Sequence, residues 1–442
     1  MQYGYVPHST GRPLKILFLS DNFVPEGNAP AARLHEHAMH WVKAGHEVTV
    51  VTGAPNFPEG RLYPGYRNRW RHVETINGIR IVRVKTYITP NEGLVRRTLD
   101  YLSFMLSAGF FALFEKKPDL VVATSPQFFC AIAGWFVSRR HGVPFIFELR
   151  DLWPASIHAV GALRNGVILR ALEKLELSLY RSSAAIVAVT ESFRDDLVAR
   201  GIARDKIHVV VNGVDLERYL PRPRDPVLEE SWGLSGKFVA AYIGTHGMAH
   251  ALDKVVEAAV HLRDREDIVF LFVGAGAERA NLETAVERLR LSNVRLVPRQ
   301  PKEAMPALWS LVDLSIVPLR DTPVFATVIP SKIFECMGMG VPLLMSVPDG
   351  EATGIVQRTA TGLCISPEDP KSMADAIAGL SVDPDRLRGF RENCRNAAFS
   401  YSRETLAIQY TALLERIAFP LESTPAPLAE GVVHIRGRKP VM

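Results

Sequence analysis

The chain has 442 residues, 47% hydrophobic and 22% charged, with 52 Lys and Arg against 47 Asp and Glu for a net charge of +5. That length exceeds one hydrophobic core and predicts two or three domains, and the composition excludes disordered, collagen-like and disulfide-stapled classes. Cys130, Cys336, Cys364 and Cys394 are scattered without a C-x-x-C pair, so they read as reduced thiols of a cytoplasmic protein rather than a zinc site.

Residues 1–13 lack the apolar stretch of a secretion signal and read as a flexible extension. "LKILFLSD" (Leu14–Asp21) is a continuous apolar run ending in a polar residue, as buried parallel strands do. A helix is predicted over Ala29–Ala44, then the strand "EVTVVTG", a loop to about residue 75, and the strand "IRIVRVKT". From Arg61 to Arg97 nine Lys and Arg face two acids, with Tyr63, Tyr66, Trp70 and Tyr87 interleaved. Such a patch suits nucleic acid, anionic lipid or a phosphorylated substrate, or is simply a solvated basic face.

The apolar run Leu99–Phe114 falls short of the roughly 20 residues that span a bilayer. It is apolar nearly all round, which predicts a helix buried in the core. The strands "DLVVATS", "PFIFELRD", "AAIVAVT" and "IHVVVNGVD" follow, separated by helices that include Val167–Tyr180. Strands regularly separated by helices predict a doubly wound parallel sheet over residues 14–215.

Residues 216–236, with their prolines and charges, read as a linker. A second strand–helix series fills 237–400: "FVAAYIG", "IVFLFVG", "VRLVP", "LSIVPL", "PLLMSV" and "GLCIS", with the helix Glu278–Leu289 among its connections. A helix at 401–418 is expected to pack back toward the first domain, before a flexible tail over 419–442. Two such domains imply a ligand cleft at the carboxyl ends of their strands.

Four loops carry candidate chemistry. In "IPSKIFECMGMGVP", Ser331 is placed to cap a helix whose first turn holds Lys332, unfavourable there unless an anion binds at that end. Glu335, one turn on, could accept sugar hydroxyls. In "YIGTHGMAHALD", Gly244 and Gly247 allow backbone approach to a phosphate, while His246 and His250 are catalytic or merely capping. Neither this loop nor "VGAGAERANL" has the G-x-G-x-x-G fingerprint of a dehydrogenase. Gly27, in "SDNFVPEGNAPAARLHEH", precedes a helix with small residues in its first turn. In "FELRDLWPASI", Glu148, Arg150, Asp151 and Trp153 cluster at a strand end, as a loop-closing salt bridge or as a substrate-reading group.

Taken together, "SDNFVPEG", "ATSPQFF", "FELRDLWP", "VVVNGVD", "YIGTHGMAHALD" and "IPSKIFECMGMGVP" resemble family 4 glycosyltransferases of the GT-B fold. The resemblance is strongest to the bacterial O-antigen and capsule branch that includes L-fucosamine transferases, and covers residues 14–417. It implies a hexosyltransferase (EC 2.4) with two Rossmann-like domains. The second would bind a nucleotide-sugar, a UDP-sugar such as that of an N-acetylated deoxyhexosamine. Lys332, Ser331, His246, Gly247 and the amides of Gly244 and Thr245 would surround the diphosphate, Glu335 the ribose, and Gly27 would face it across the cleft. Glu351, Arg150 and Asp151 would be the catalytic candidates. Transfer would retain anomeric configuration without cofactor or metal; Asp383-Pro384-Asp385 lies in a linker-like segment.

The acceptor implied is a saccharide or polyprenyl-linked saccharide. The enzyme would be cytoplasmic, touching anionic membrane peripherally through Arg61–Arg97, with no nucleic acid partner. Three departures stand out: Thr327 replaces the first of two paired glutamates, Thr245-His246 replaces an arginine, and the first domain's active-site histidine is not evident. A sugar-nucleotide epimerase or hydrolase, or a non-catalytic nucleotide-sugar binding subunit, therefore stays open.

Overall fold

The structure is a computed structural model and describes residues 12–57, 59–89, 94–125, 128–152 and 166–419. Most of the expected extension and most of the expected tail lie outside them, as does Trp153. The first lobe holds β1 (Lys15–Leu19), β2 (Glu47–Gly53), β3 (Arg71–Ile76), β4 (Ile79–Val84), β5 (Leu120–Thr124), β6 (Phe145–Leu149), β7 (Ala185–Ala188) and β8 (Ile207–Val209). They form one sheet in the order β3-β4-β2-β1-β5-β6-β7-β8. The second lobe holds β9 (Phe238–Ile243), β10 (Ile268–Val273), β11 (Val294–Val297), β12 (Leu314–Pro318), β13 (Leu343–Ser346) and β14 (Gly362–Ile365), ordered β11-β10-β9-β12-β13-β14. In each sheet the order reverses beside the first strand, which opens the crevice where ligands bind in such folds.

All pairings are parallel except β3 with β4. Residues 71–75 were expected as loop, because "RHVETI" is too polar for a buried strand. It is an edge strand with no fully buried residue. The turn joining it to β4 is Asn77-Gly78, both at positive φ (52° and 78°), the geometry that asparagine and glycine tolerate in tight hairpins.

The basic stretch Arg61–Arg97 is not a free cationic face. Arg83 is buried, bonding Glu74 at 2.5 Å and the carbonyls of Gly53 and Val24. Arg71 and Arg80 both grip Glu115, at 2.7 and 3.0 Å. Lys85 lies 4.7 Å from the Trp70 ring centroid and Arg97 bonds Tyr101. Three of the nine cations that the sequence assigns to a partner, Arg71, Arg80 and Arg83, are thus ion-paired within the lobe.

The helix Leu94–Ala112 is only half as buried as its composition suggests. Phe104, Ala108 and Ala112 sit in the core, while Leu99, Leu106 and Phe110 are exposed. Among the described residues no helix is long and apolar enough to cross a membrane.

The chain crosses between lobes twice, and the crossings pair. Val214 N donates to Tyr401 O (3.0 Å) and Arg403 N to Val214 O (2.9 Å). The helix Arg403–Ala418 then returns to the first lobe, where Leu406, Tyr410, Leu413 and Leu414 pack with Leu34, Ala38 and Trp41 of the helix Ala29–Lys43. Tyr410 meets Trp41 edge to face at 5.3 Å. A Cβ on Gly213 would fall 2.4 Å from Tyr401 O and 2.5 Å from Leu406 Cδ1, so the crossing requires glycine there. We expect Gly213→Ala to cost about 1–3 kcal/mol in denaturant unfolding. Gly379→Ala, in a helix with nothing within 4 Å, should instead be neutral or stabilise by up to about 1 kcal/mol.

Candidate active site

A cavity of about 410 Å³ lies between the lobes. Gly27, Arg33 and Glu36 reach it from the first lobe, Gly244, Thr245 and Glu335 from the second. Its polar wall also includes His37 and Asn212 from the first lobe, Arg299, Gln300, Lys302 and Ser331 from the second, and Arg403. Gly27 is exposed, and a Cβ there would meet nothing within 4 Å, so the loop before the helix Ala29–Lys43 lies open to the cleft. Asn28 caps that helix, accepting from Ala31 N at 2.9 Å.

Arg33 is the buried pivot of the first-lobe wall. Its guanidinium bonds Glu148 Oε1 (3.2 Å), Val211 O and Val210 O (both 2.7 Å) and Asn212 Oδ1 (3.1 Å). Glu36 accepts from Arg403 and stands 3.9 Å from Lys302, tying first lobe, second lobe and returning helix at the cleft rim. Sequence reasoning singled out Glu148 but missed Arg33, Glu36, Asn212, Lys302 and Arg403. Arg33 falls within "SDNFVPEGNAPAARLHEH" and Asn212 within "VVVNGVD", but their convergence depends on segments over 170 residues apart.

Lys332 opens the eight-residue helix Lys332–Met339. Its ammonium lies 3.7 Å from the Tyr242 ring centroid and backs the Gly244 turn, where a Cβ would be 3.0 Å from Nζ. It makes no ion pair among the described residues. Burial lowers its pKa to about 8, with Cys336 and Glu335 pulling the other way. Glu335 accepts from Trp309 Nε1 at 3.2 Å and faces the cavity.

Several expected roles change. Ser331 makes no side-chain cap, since its own backbone is already helical (φ −59°, ψ −26°); it is exposed at the cavity instead. The Gly244 amide is committed to Val273 O at 3.0 Å, which leaves Thr245 N as the open amide of this turn. Gly247 accepts from His250 N at 3.0 Å and serves the turn, outside the cavity wall.

His246 is no phosphate ligand. It is fully buried, and burial, then Arg279 and Lys332, push its pKa down to about 4, so it is neutral near pH 7. Gly274 and Gly276 make room for it: a Cβ on Gly274 would come within 2.9 Å of the ring. The signal for this was present in "VGAGAERANL", whose glycines serve packing rather than a dinucleotide.

Glu351 bridges the lobes but does not line the cavity. Its carboxylate accepts from Glu191 N (2.9 Å), Ser192 N (2.9 Å) and Ser192 Oγ (2.7 Å), so a second-lobe residue caps the first-lobe helix Glu191–Ala199. Arg150 and Asp151 follow β6 and lie off the cavity wall; both amides donate to Ser125 Oγ, at 2.8 and 3.3 Å. Burial lowers the Arg150 pKa to about 10, opposed by Glu148. Thr327 Oγ1 bonds Val324 O, so no side chain replaces the missing carboxylate there. No three His, Cys, Asp or Glu side chains among the described residues could hold a metal ion, and Asp383 caps the helix Pro384–Ser400.

Residues 28–213 match the model of the glycosyl transferase 4-like domain, and residues 227–399 that of the glycosyl transferases group 1. The chain belongs to the family 4 glycosyltransferases. Like the GT-B enzymes of that family, it pairs two parallel-sheet lobes around a cleft. It is similar to the Escherichia coli (strain K12) chain assigned as the colanic acid biosynthesis glycosyl transferase WcaI, 24% identical over 83% of this chain and 91% of that one. It is also similar to a GDP-mannose-dependent alpha-mannosyltransferase of Mycobacterium tuberculosis (strain CDC 1551 / Oshkosh), 25% identical over 84% and 89%. Among solved structures, Anabaena Alr3699/HepE in complex with UDP and glucose superposes at a TM-score of 0.66, with 16% identity over 91% of this chain and 99% of that one. Sucrose-phosphate synthase from Thermosynechococcus elongatus superposes at 0.70, with 17% identity over 91% and 98%. These two likenesses establish the fold.

In this glycosyltransferase, Glu351→Ala should lower stability by about 1–3 kcal/mol in unfolding, by stranding two amides and a hydroxyl, while donor binding by calorimetry stays unchanged. Lys332→Met should raise the melting temperature of the ligand-free protein near pH 7. A lysine whose folded pKa is lowered destabilises the fold below about pH 8, a cost relieved as pH rises toward its ordinary value.

Proposed function

We propose that this glycosyltransferase moves a sugar from a UDP-sugar to a saccharide or lipid-linked saccharide in surface polysaccharide synthesis of the O-antigen or capsule type. The observation that carries this reading is the cation–glycine turn at the cleft: Lys332 behind Gly244, the open Thr245 amide, and Arg299 across the cavity. Those groups suit a diphosphate. A second cavity of about 460 Å³ joins at Thr245 and Arg299 and runs under Gly274–Gly276, with room for the nucleoside. Glu335, held by Trp309, suits the ribose hydroxyls.

Transfer proceeds with retention of anomeric configuration, the acceptor oxygen forming its bond on the face from which the diphosphate departs. Negative charge grows on the leaving phosphate as the glycosidic bond breaks. Lys332, fixed over the Tyr242 ring, and the Thr245 amide, in a turn fixed by the Tyr242 hydroxyl, stabilise it with Arg299 and without a metal or cofactor. The chain works at the cytoplasmic face of the membrane, where lipid-linked acceptors are presented. A GDP-sugar donor is the second reading, favoured by the GDP-mannose-dependent relative.

A thermal-stabilisation screen of UDP-, GDP- and dTDP-sugars should give the largest shift with a UDP-sugar, since only ligands of the native state raise its melting point. UDP affinity measured by calorimetry should fall as pH rises through about 8, where the Lys332 ammonium discharges. Lys332→Ala should weaken UDP binding by about 1.5–3 kcal/mol. Equal affinity in parent and variant would remove the diphosphate from this turn.

A further inference from the structure

The helix Leu94–Ala112 buries one side and leaves the other bare. Leu99, Leu106 and Phe110 fall on one line at helical spacing, and Phe114 extends it past the helix end. Leu106 is 67% exposed, Phe110 56% and Phe114 68%. The rings of Phe110 and Phe114 meet edge to face at 5.0 Å, so the ridge is continuous at that end. The neighbouring helix Phe128–His141 exposes Phe136, and packs closely enough that a Cβ on Gly109 would touch Ala133 at 3.7 Å. Isolated exposed apolar side chains are ordinary, but four along one line are not.

Charge frames the ridge. Arg96 and Arg97 stand exposed near its start, Lys116 and Lys117 at its end, and Arg139 and Arg140 close the neighbouring helix. Phe114 also borders a cavity of about 430 Å³ lined by Lys15, Arg71, Arg80 and Lys116, against Glu47 and Glu115. Large apolar side chains flanked by cations and ending at a cationic recess match the order of acyl chain, interface and phosphate headgroup in an anionic leaflet.

We propose that this ridge is a membrane-docking surface. Leu106, Phe110 and Phe114 enter the interfacial layer, and the exposed Lys116 and Lys117 at the ridge's end take a lipid phosphate. This rests on the proposed use of a lipid-linked acceptor for its purpose. It adds a specific surface to the Arg61–Arg97 stretch, of whose cations Arg71, Arg80 and Arg83 are ion-paired within the lobe.

The test is co-sedimentation of the full chain with phosphatidylcholine vesicles, with and without phosphatidylglycerol. The parent should pellet with phosphatidylglycerol vesicles at low salt and be released by salt. L106E/F110E/F114E should bind about tenfold or more weakly, with an unchanged melting temperature and UDP affinity. K116E/K117E, confined to exposed lysines, guards against misfolding of the triple variant and should lose about tenfold only on phosphatidylglycerol vesicles.

The proposal is overturned if the parent stays in the supernatant, or if the ridge variant pellets like the parent. It is equally overturned if ultracentrifugation shows a dimer that the ridge variant dissolves without any vesicle binding by the parent. UDP calorimetry on the same samples separates this outcome from failure of the proposed donor, because vesicle binding without UDP affinity would refute only the latter.

Discussion

A half-buried ammonium that makes no ion pair among the described residues stands behind the glycine turn on the second lobe's side of the cleft. Lys332 is held against the face of Tyr242 and behind a glycine turn, and burial has already pulled its pKa to about 8. Holding an ammonium so is unfavourable for the empty protein. An anion bound at this turn would offset that cost, because it would restore an interaction that water no longer fully supplies. The surroundings suit an incoming anion. Tyr242 donates its hydroxyl to Thr245 O and fixes the turn, while Trp309 holds Glu335 one helical turn beyond Lys332.

The first lobe faces this turn with a different device. Arg33 spends its donors on a buried carboxylate, two backbone carbonyls and an asparagine, so it is a fixture rather than a flexible ligand. It locks the end of β8 to the helix Ala29–Lys43, and the returning helix Arg403–Ala418 lies against that same helix. The cleft's shape therefore depends on three distant parts of the chain meeting at one buried guanidinium and on the paired crossings at Val214 and Ser402. Glycine at 213 permits that meeting.

The strands were legible because parallel strands buried on both faces are runs of apolar residues, and the strand–loop–helix order located Gly27, Gly244, Lys332 and Glu335 at one end of two sheets. What a strand end faces was not legible. Glu351 follows its strand in the same way as the true cleft residues, yet it reaches the other lobe and caps a helix there. His246 sits next to an open amide, yet its ring turns inward beneath two glycines. Both depend on distances between segments, which spacing in one segment does not encode. The hairpin of β3 and β4 is a different omission: Asn77-Gly78 announced it, but the polar edge strand beside it masked the signal.

The Glu351 clasp has a mechanical consequence. Its two oxygens hold two amides and a hydroxyl that belong to the opposite lobe, all within one turn of helix. Such a grip is short-ranged, because hydrogen bonds weaken steeply with distance and angle, so any sliding of one lobe past the other strains all three bonds at once.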